Sequence, residues 1–247
     1  MQPKRLALGL MAVASVFALL ACTAVAPEVP SPVQAAPAAM DSAHWRSTYA
    51  KLAEQGGRVV TLDPHASAVR IHVFRSGAAA RLGHNHVLSA PQFAGLLYLP
   101  AEEIAKARFD MEFRLDQLEI DRPEYRSALG SAFSSVLSPD QIQGTREHML
   151  GSNSMQADRY PLVRIHSLQI TGELPKIAAQ VRVEIHGQTR DTWVPLMVEA
   201  LPDHLSVSGA LVIKQTDYGI QPYSILGGLL AVKDEIFVDF KLVGPTL

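Results

Sequence analysis

Arg108-Phe109-Asp110-Met111-Glu112-Phe113-Arg114-Leu115-Asp116 is the stretch that decides the fold. Phe109, Met111, Phe113 and Leu115 alternate with five charged residues, so in an extended chain the apolar side chains share one face and the charges take the other. Strict alternation of this kind marks an antiparallel strand with one buried and one wet face. The same period recurs on both sides. Upstream it begins near Arg58, and Val69, Ile71 and Val73 alternate with Arg70, His72 and Phe74. Downstream it returns over 163–170, 181–186, 205–213 and 236–242, with Val181, Val183 and Ile185 on one phase. Gly187-Gln188-Thr189-Arg190 lies between two such runs and reads as a hairpin connection.

Helices interrupt this pattern in two places. Residues 42–55 predict a short helix, capped by Asp41 or Ser42 and stopped by Gly56-Gly57. Within 122–154, Pro139-Asp140 is followed by residues from Gln141 to Leu150 that predict a helix of about three turns. Seven or eight strands with few helices predict an all-β domain, either a closed antiparallel barrel or a sandwich. A barrel of about eight strands has an interior that side chains fill or that holds one small ligand. Periodicity does not separate a packed barrel with a structural role from a hollow one.

The N-terminus predicts where the domain works. Lys4 and Arg5 precede an uncharged apolar run from Leu6 to Leu20, which is shorter than the ~20 residues a membrane-spanning helix needs. Leu19-Leu20-Ala21-Cys22 follows and resembles a bacterial lipobox, with the chain's single cysteine as the lipidated residue. Residues 1–21 are therefore expected to be a lipoprotein signal peptide, and 22–40, rich in Ala and Pro, an extended tether. Thr23 beside the cysteine is not an inner-membrane retention aspartate. In a Gram-negative cell that points to the outer membrane, facing the periplasm. Losing Lys4 and Arg5 with the leader takes the basic count from 22 to 20 against 24 acidic residues, a net charge of −4 in place of −2. No basic tract remains, which argues against nucleic acid as a partner. Residues 41–247 suffice for one domain with its own core and no internal disulfide.

Four segments, in order, resemble the YceI family of lipocalin-like proteins. Leu62-Asp63-Pro64-His65-Ala66-Ser67-Ala68-Val69 is similar to its opening strand. Arg146-Glu147-His148-Met149-Leu150 with Tyr160-Pro161-Leu162-Val163-Arg164-Ile165-His166-Ser167 is similar to its helix and following strand. Ile185-His186-Gly187-Gln188-Thr189-Arg190 resembles its hairpin, and the residues from Ile213 through Tyr218, Gly219 and Ile220 resemble a turn near its end. The resemblance runs from about Val59 to Val243. It implies an antiparallel lipocalin-like β-barrel with short helical excursions and an apolar tunnel for isoprenoid chains, such as quinone tails or polyisoprenoid lipids. It also implies a binding protein of the cell envelope in place of an enzyme. The chain departs from the family where aromatic residues usually follow the helix, since Gly151-Ser152-Asn153-Ser154-Met155-Gln156 stands there. It departs again in carrying a histidine pair in Gly83-His84-Asn85-His86.

On this reading Phe109, Met111, Phe113, Leu115, Val181, Val183 and Ile185 line the tunnel. His84 and His86, two apart, share a face about 6.6 Å apart if extended. They are candidates to meet a ligand head group at a barrel rim. With His148 from the helix they would give the three protein ligands a catalytic zinc wants, so a metal- or haem-dependent enzyme is the rival reading. No cofactor is expected otherwise, and the expected partners are an isoprenoid-type small molecule and the membrane through Cys22. His72 and His186 fall on the polar phase and are expected to face solvent. Asp217, before Tyr218-Gly219, reads as a turn residue. Ser206 and Ser208 lack a nucleophile-elbow context.

Overall fold

Charged residues between apolar ones did not keep one face of Arg108–Arg114 wet. In the computed structural model, which describes residues 43–201 and 203–245, Asp110, Glu112 and Arg114 are as buried as the apolar residues beside them. The reason lies outside the strand. A helix α1 (Ala43–Glu54) packs beside it on Ala94, Leu96 and Tyr98, and its Tyr49 reaches across to donate its hydroxyl to Asp110 Oδ2 at 2.7 Å. Burial, then the charge and hydrogen bond of Asp110, push the Tyr49 phenol well above its ordinary range. Glu112 takes Arg164 Nε at 3.3 Å, and Arg114 is paired in bidentate fashion with Asp116.

The described residues form twelve strands: β1 (Arg58–Thr61), β2 (Ala68–Ser76), β3 (His86–Ser89), β4 (Ala94–Leu99), β5 (Arg108–Arg114), β6 (Glu119–Ile120), β7 (Leu162–Glu173), β8 (Lys176–Ile185), β9 (Gln188–Ala200), β10 (His204–Lys214), β11 (Ser224–Ile225) and β12 (Leu230–Pro245). They make one antiparallel sheet in the order β1-β4-β5-β7-β8-β9-β10-β12-β2-β3-β6, with β11 on β12. It curls into a lipocalin-like barrel. Where the chain passes from β1 to β2, Asp63 N–H donates to the Val243 carbonyl at 2.8 Å and Val243 N–H to Ser67 Oγ at 2.9 Å, bridging β1 to β12.

The expected count of seven or eight strands is therefore too low, and the missed strands share a cause. In β4, Leu97 and Leu99 face the interior while Leu96 and Tyr98 pack against α1, so both faces are apolar and period two disappears. In β9, Trp193 and Pro195 stand on the outer phase, which hides the inward set Val194, Leu196 and Val198. The hairpin between β8 and β9 also turns earlier than expected. His186 and Gly187 occupy it, with φ of +53° and +70°, and Gln188 already pairs with Ile185. Leu115 sits in the 3₁₀ turn Leu115–Gln117 just past β5.

The helices fall as expected. α1 ends at Gly56 and Gly57, both at positive φ; its expected caps, Asp41 and Ser42, lie outside the described residues. α2 (Pro123–Ala128) and α3 (Pro139–Leu150) make the excursion between β6 and β7. Ser138 caps α3 in a reciprocal box with Gln141, satisfying two backbone donors that the first turn leaves open. Arg146 donates to the carbonyls of Asp116 and Leu118, which ties α3 to the turn after β5. The segment through α2 covers the outer face of β2, where Phe133 packs edge-on to His72 and Arg70 lies 3.7 Å over the Tyr125 ring.

That cover overturns the expected exposure of His72, which is buried and shares a 2.5 Å hydrogen bond with Asp239. His186 is likewise only half-exposed: its ring meets Tyr160, and Nδ1 donates to the Tyr218 carbonyl at 3.1 Å. Asp217 is exposed in the turn Gln215–Tyr218, as expected of a turn residue. Ser206 is buried and bonds Glu199 at 3.2 Å.

Candidate functional site

The inward phases of the strands leave space between them. The barrel encloses a cavity of about 590 Å³, inside the range of ligand-holding pockets. Phe109, Met111, Phe113, Leu115, Val181, Val183 and Ile185 all line it, so the alternation that located β5 and β8 also located its wall. The interior is hollow, against the reading of a barrel packed solid. Met111, Ile165 and Val183 stand directly opposite one another across β5, β7 and β8 and form one level of that wall. Ser154 and Met155, where the family's aromatic residues are absent, also reach the cavity.

The cavity has two unlike ends, and strand register tells them apart. At one end lie Leu62, Leu97, Ile170, Ile177, Val198 and Leu242, all buried and all apolar. At the other end Arg75 lies one residue before the end of β2, β3 begins at His86 and β10 finishes next to Gln215. There α3 contributes Gln141, Thr145 and His148, and the turn Ala80–Leu82 brings Leu82 and then His84. Gln141, His148, Leu82 and Tyr223 are at once exposed and lining, so this end is the mouth. The result is an apolar shaft with a polar mouth.

His84, His86 and His148 all reach that mouth, as the sequence suggested. They are not equivalent. His148 lies with its ring 4.9 Å from that of Tyr223. Burial first, and neighbouring charges that include Arg126 and Arg75, lower the His84 pKa below the ordinary imidazole value. His86 is engaged through Nδ1 with Asp121 Oδ2 at 2.6 Å. Among the described residues no three His, Cys, Asp or Glu side chains converge as a metal-binding group, so the three histidines do not form the ligand set of the rival reading. Cys22 lies outside the described residues.

Sequence reasoning missed the groups behind the histidines. Asp121 is wholly buried and accepts from the Val87 N–H at 3.0 Å and from Arg126 Nη1 at 2.6 Å as well as meeting His86. Burial works to raise its carboxyl, but the hydrogen bonds it accepts from His86, the Val87 N–H and Arg126 outweigh it and hold it below the usual carboxylate range. Nothing in Ile120-Asp121-Arg122-Pro123 marks this role; the residue reads as a turn aspartate before a proline. Arg75 donates Nη1 to the Gly83 carbonyl at 2.6 Å and so fixes the turn that carries the histidine pair.

A YceI-like domain is recognised over residues 61–244. Among solved structures, BcnA of Burkholderia cenocepacia is similar to this chain with a TM-score of 0.56 at 16% identity, over 74% of this chain and 98% of that one. The YCEI protein of Campylobacter jejuni gives a TM-score of 0.46 at 10% identity, over 65% of this chain and 84% of that one. No curated protein matches the sequence. The matched span, 61–244, takes in the barrel from the end of β1 nearly to the end of β12, and on it the chain belongs to the YceI-like family.

Proposed function

We propose that this protein is an envelope lipoprotein that holds an isoprenoid-type lipid, a polyisoprenoid or a quinone, in its barrel. Its tail lies along the shaft and its head group rests at the mouth. One observation carries the reading: below the mouth the cavity is walled by hydrocarbon except for Ser167, whose hydroxyl accepts from the Phe109 N–H, and its other polar side chains gather at the end that meets solvent. That polarity matches an amphiphile lying lengthwise. It does not match a polar substrate, for which the shaft offers almost no partner, or a packed core, which would leave no space. The seven wall residues from Phe109 to Ile185 would contact the tail, and His84, His86 and His148 the head group. The lipobox ending at Cys22 and the Ala/Pro-rich segment 22–40 would keep the domain at the membrane that supplies such a lipid. On this reading the protein binds and presents its ligand and is not an enzyme.

The reading is tested by titrating delipidated protein with a polyprenol and following displacement of diphenylhexatriene, a fluorescent apolar probe. Saturable displacement at one polyprenol per chain is expected. A probe that never enters, or a polyprenol that never displaces it, would contradict the proposal.

A further inference from the structure

Asp121 is an expensive residue to place where it stands. Its φ of +55° lies in the left-handed region that few residues other than glycine adopt, and its carboxylate is fully enclosed. The groups around it are held just as firmly. Arg126 also donates to the carbonyls of Asn85 at 2.8 Å and Ser135 at 3.0 Å and to Ser135 Oγ at 2.8 Å. Asn85 accepts from the Arg75 N–H and donates to the Ala132 carbonyl, each at 3.0 Å. The wall of the barrel does not need this apparatus. Leu88, the next inward residue on β3, lines the cavity with hydrocarbon alone. What the network fixes is the imidazole of His86.

The state it fixes follows from the acceptor. A carboxylate ion only accepts, so the proton in the 2.6 Å contact sits on His86 Nδ1. In the neutral ring that leaves Nε2 with a lone pair and no proton. Nε2 has no hydrogen-bond partner among the described residues, and the ring lines the cavity mouth. The nearby cations are already engaged: Arg75 with the Gly83 carbonyl and Arg126 with Asp121. Arg126 offsets the Asp121 carboxylate and Arg75 keeps its charge beside the mouth, so what the mouth gains from His86 is a hydrogen-bond acceptor.

We infer that Asp121 is a positioning residue that holds His86 as a hydrogen-bond acceptor, and that the head group is an uncharged isoprenoid alcohol or phenol donating its O–H to Nε2, in place of a diphosphate ester. The inference rests on the proposed lipid site and narrows its ligand. An O–H donates to a free lone pair here, whereas an ionised diphosphate sets only acceptor oxygens against it.

The experiment uses the full chain at pH 8 and three probes with one tail: geranylgeraniol, its methyl ether and its diphosphate, each displacing diphenylhexatriene. The alcohol should displace about tenfold better than the ether, the size expected for one well-placed hydrogen bond. His86→Phe keeps a ring in the wall and should bring the alcohol down to the level of the ether. Long-range proton–nitrogen NMR of the histidines should find His86 protonated at Nδ1 in the native protein, and Asp121→Asn should disturb that tautomer and the preference together. Because Asp121→Asn strands Arg126, His86→Phe carries the binding test if the former does not fold. Equal displacement by alcohol and ether, preference for the diphosphate, or an Nε2-protonated His86 would each overturn the inference while the lipid site stands. Displacement by none of the three would overturn the lipid site, and the inference with it.

Discussion

Val183→Trp separates a ligand-holding shaft from a packed core more sharply than any other single change. Val183 is only 1% exposed, yet it faces the cavity on the same level as Ile165 and Met111, one step below the level of Ile185 and Phe113. In a packed core an indole at this position would overfill the interior and cost about 1–3 kcal/mol of stability. In a hollow barrel the indole enters space that is already there, and stability should change by less than about 0.5 kcal/mol. The ligand bears the cost. If the indole displaces even one five-carbon isoprene unit, at about 0.8 kcal/mol per buried CH₂ the loss is about 4 kcal/mol, roughly a thousandfold in affinity. The assay pairs urea unfolding with probe displacement by a polyprenol on the same preparation. The expected result is an unchanged urea midpoint with binding lost. A midpoint lowered as for an overpacked core, with polyprenol affinity unchanged, would refute the reasoning.

Other expectations follow from single contacts. Cys22→Ser should move the protein from the membrane fraction to the soluble one or stall its processing, and a fatty-acid analogue should label only the native chain; a native chain that takes up no label and fractionates as soluble contradicts the lipobox reading. Tyr49→Phe removes the donor to buried Asp110 and should cost about 2 kcal/mol, the range for hydrogen bonds to charged groups, read as a lower urea midpoint. Burial lowers the His84 pKa in the folded state, so in acid the unfolded chain takes up a proton that the folded one refuses. Stability should therefore fall as pH drops through the ordinary imidazole range, and the fall should be shallower in His84→Gln. An identical slope in the variant would count against that cause. Asp121 adds a second loss at lower pH, because its depressed carboxyl contributes stability above the ordinary carboxylate range that disappears as pH falls through its folded value.

What the sequence disclosed, and what it hid, follow from how far apart the interacting residues lie. The inward phase of β5 and β8 was legible because a residue and its second neighbour share a face whatever the rest of the chain does. The helix α3 was legible for the same local reason, from Pro139-Asp140 ahead of it, although its start at Pro139 and its Ser138–Gln141 cap come from the structure. The outer phase was not legible. Whether Asp110 and Glu112 meet water depends on residues elsewhere in the chain: Tyr49, 61 residues before Asp110, and Arg164, 52 after Glu112. His72 was misread in the same way, since Asp239, its hydrogen-bond partner, lies 167 residues on. At the mouth, His84 and His86 announced themselves by type and spacing, but Asp121, 35 residues after His86, reached them only through the fold.

Mass spectrometry of the lipid fraction from protein purified in its native host, without added ligand, tests the central claim most directly. The account predicts one isoprenoid-type lipid per chain ending in a hydroxyl, lost from Val183→Trp and retained by a variant substituted at exposed Val136. Protein that carries no isoprenoid-type lipid, or as much in Val183→Trp as in the native chain, would contradict it.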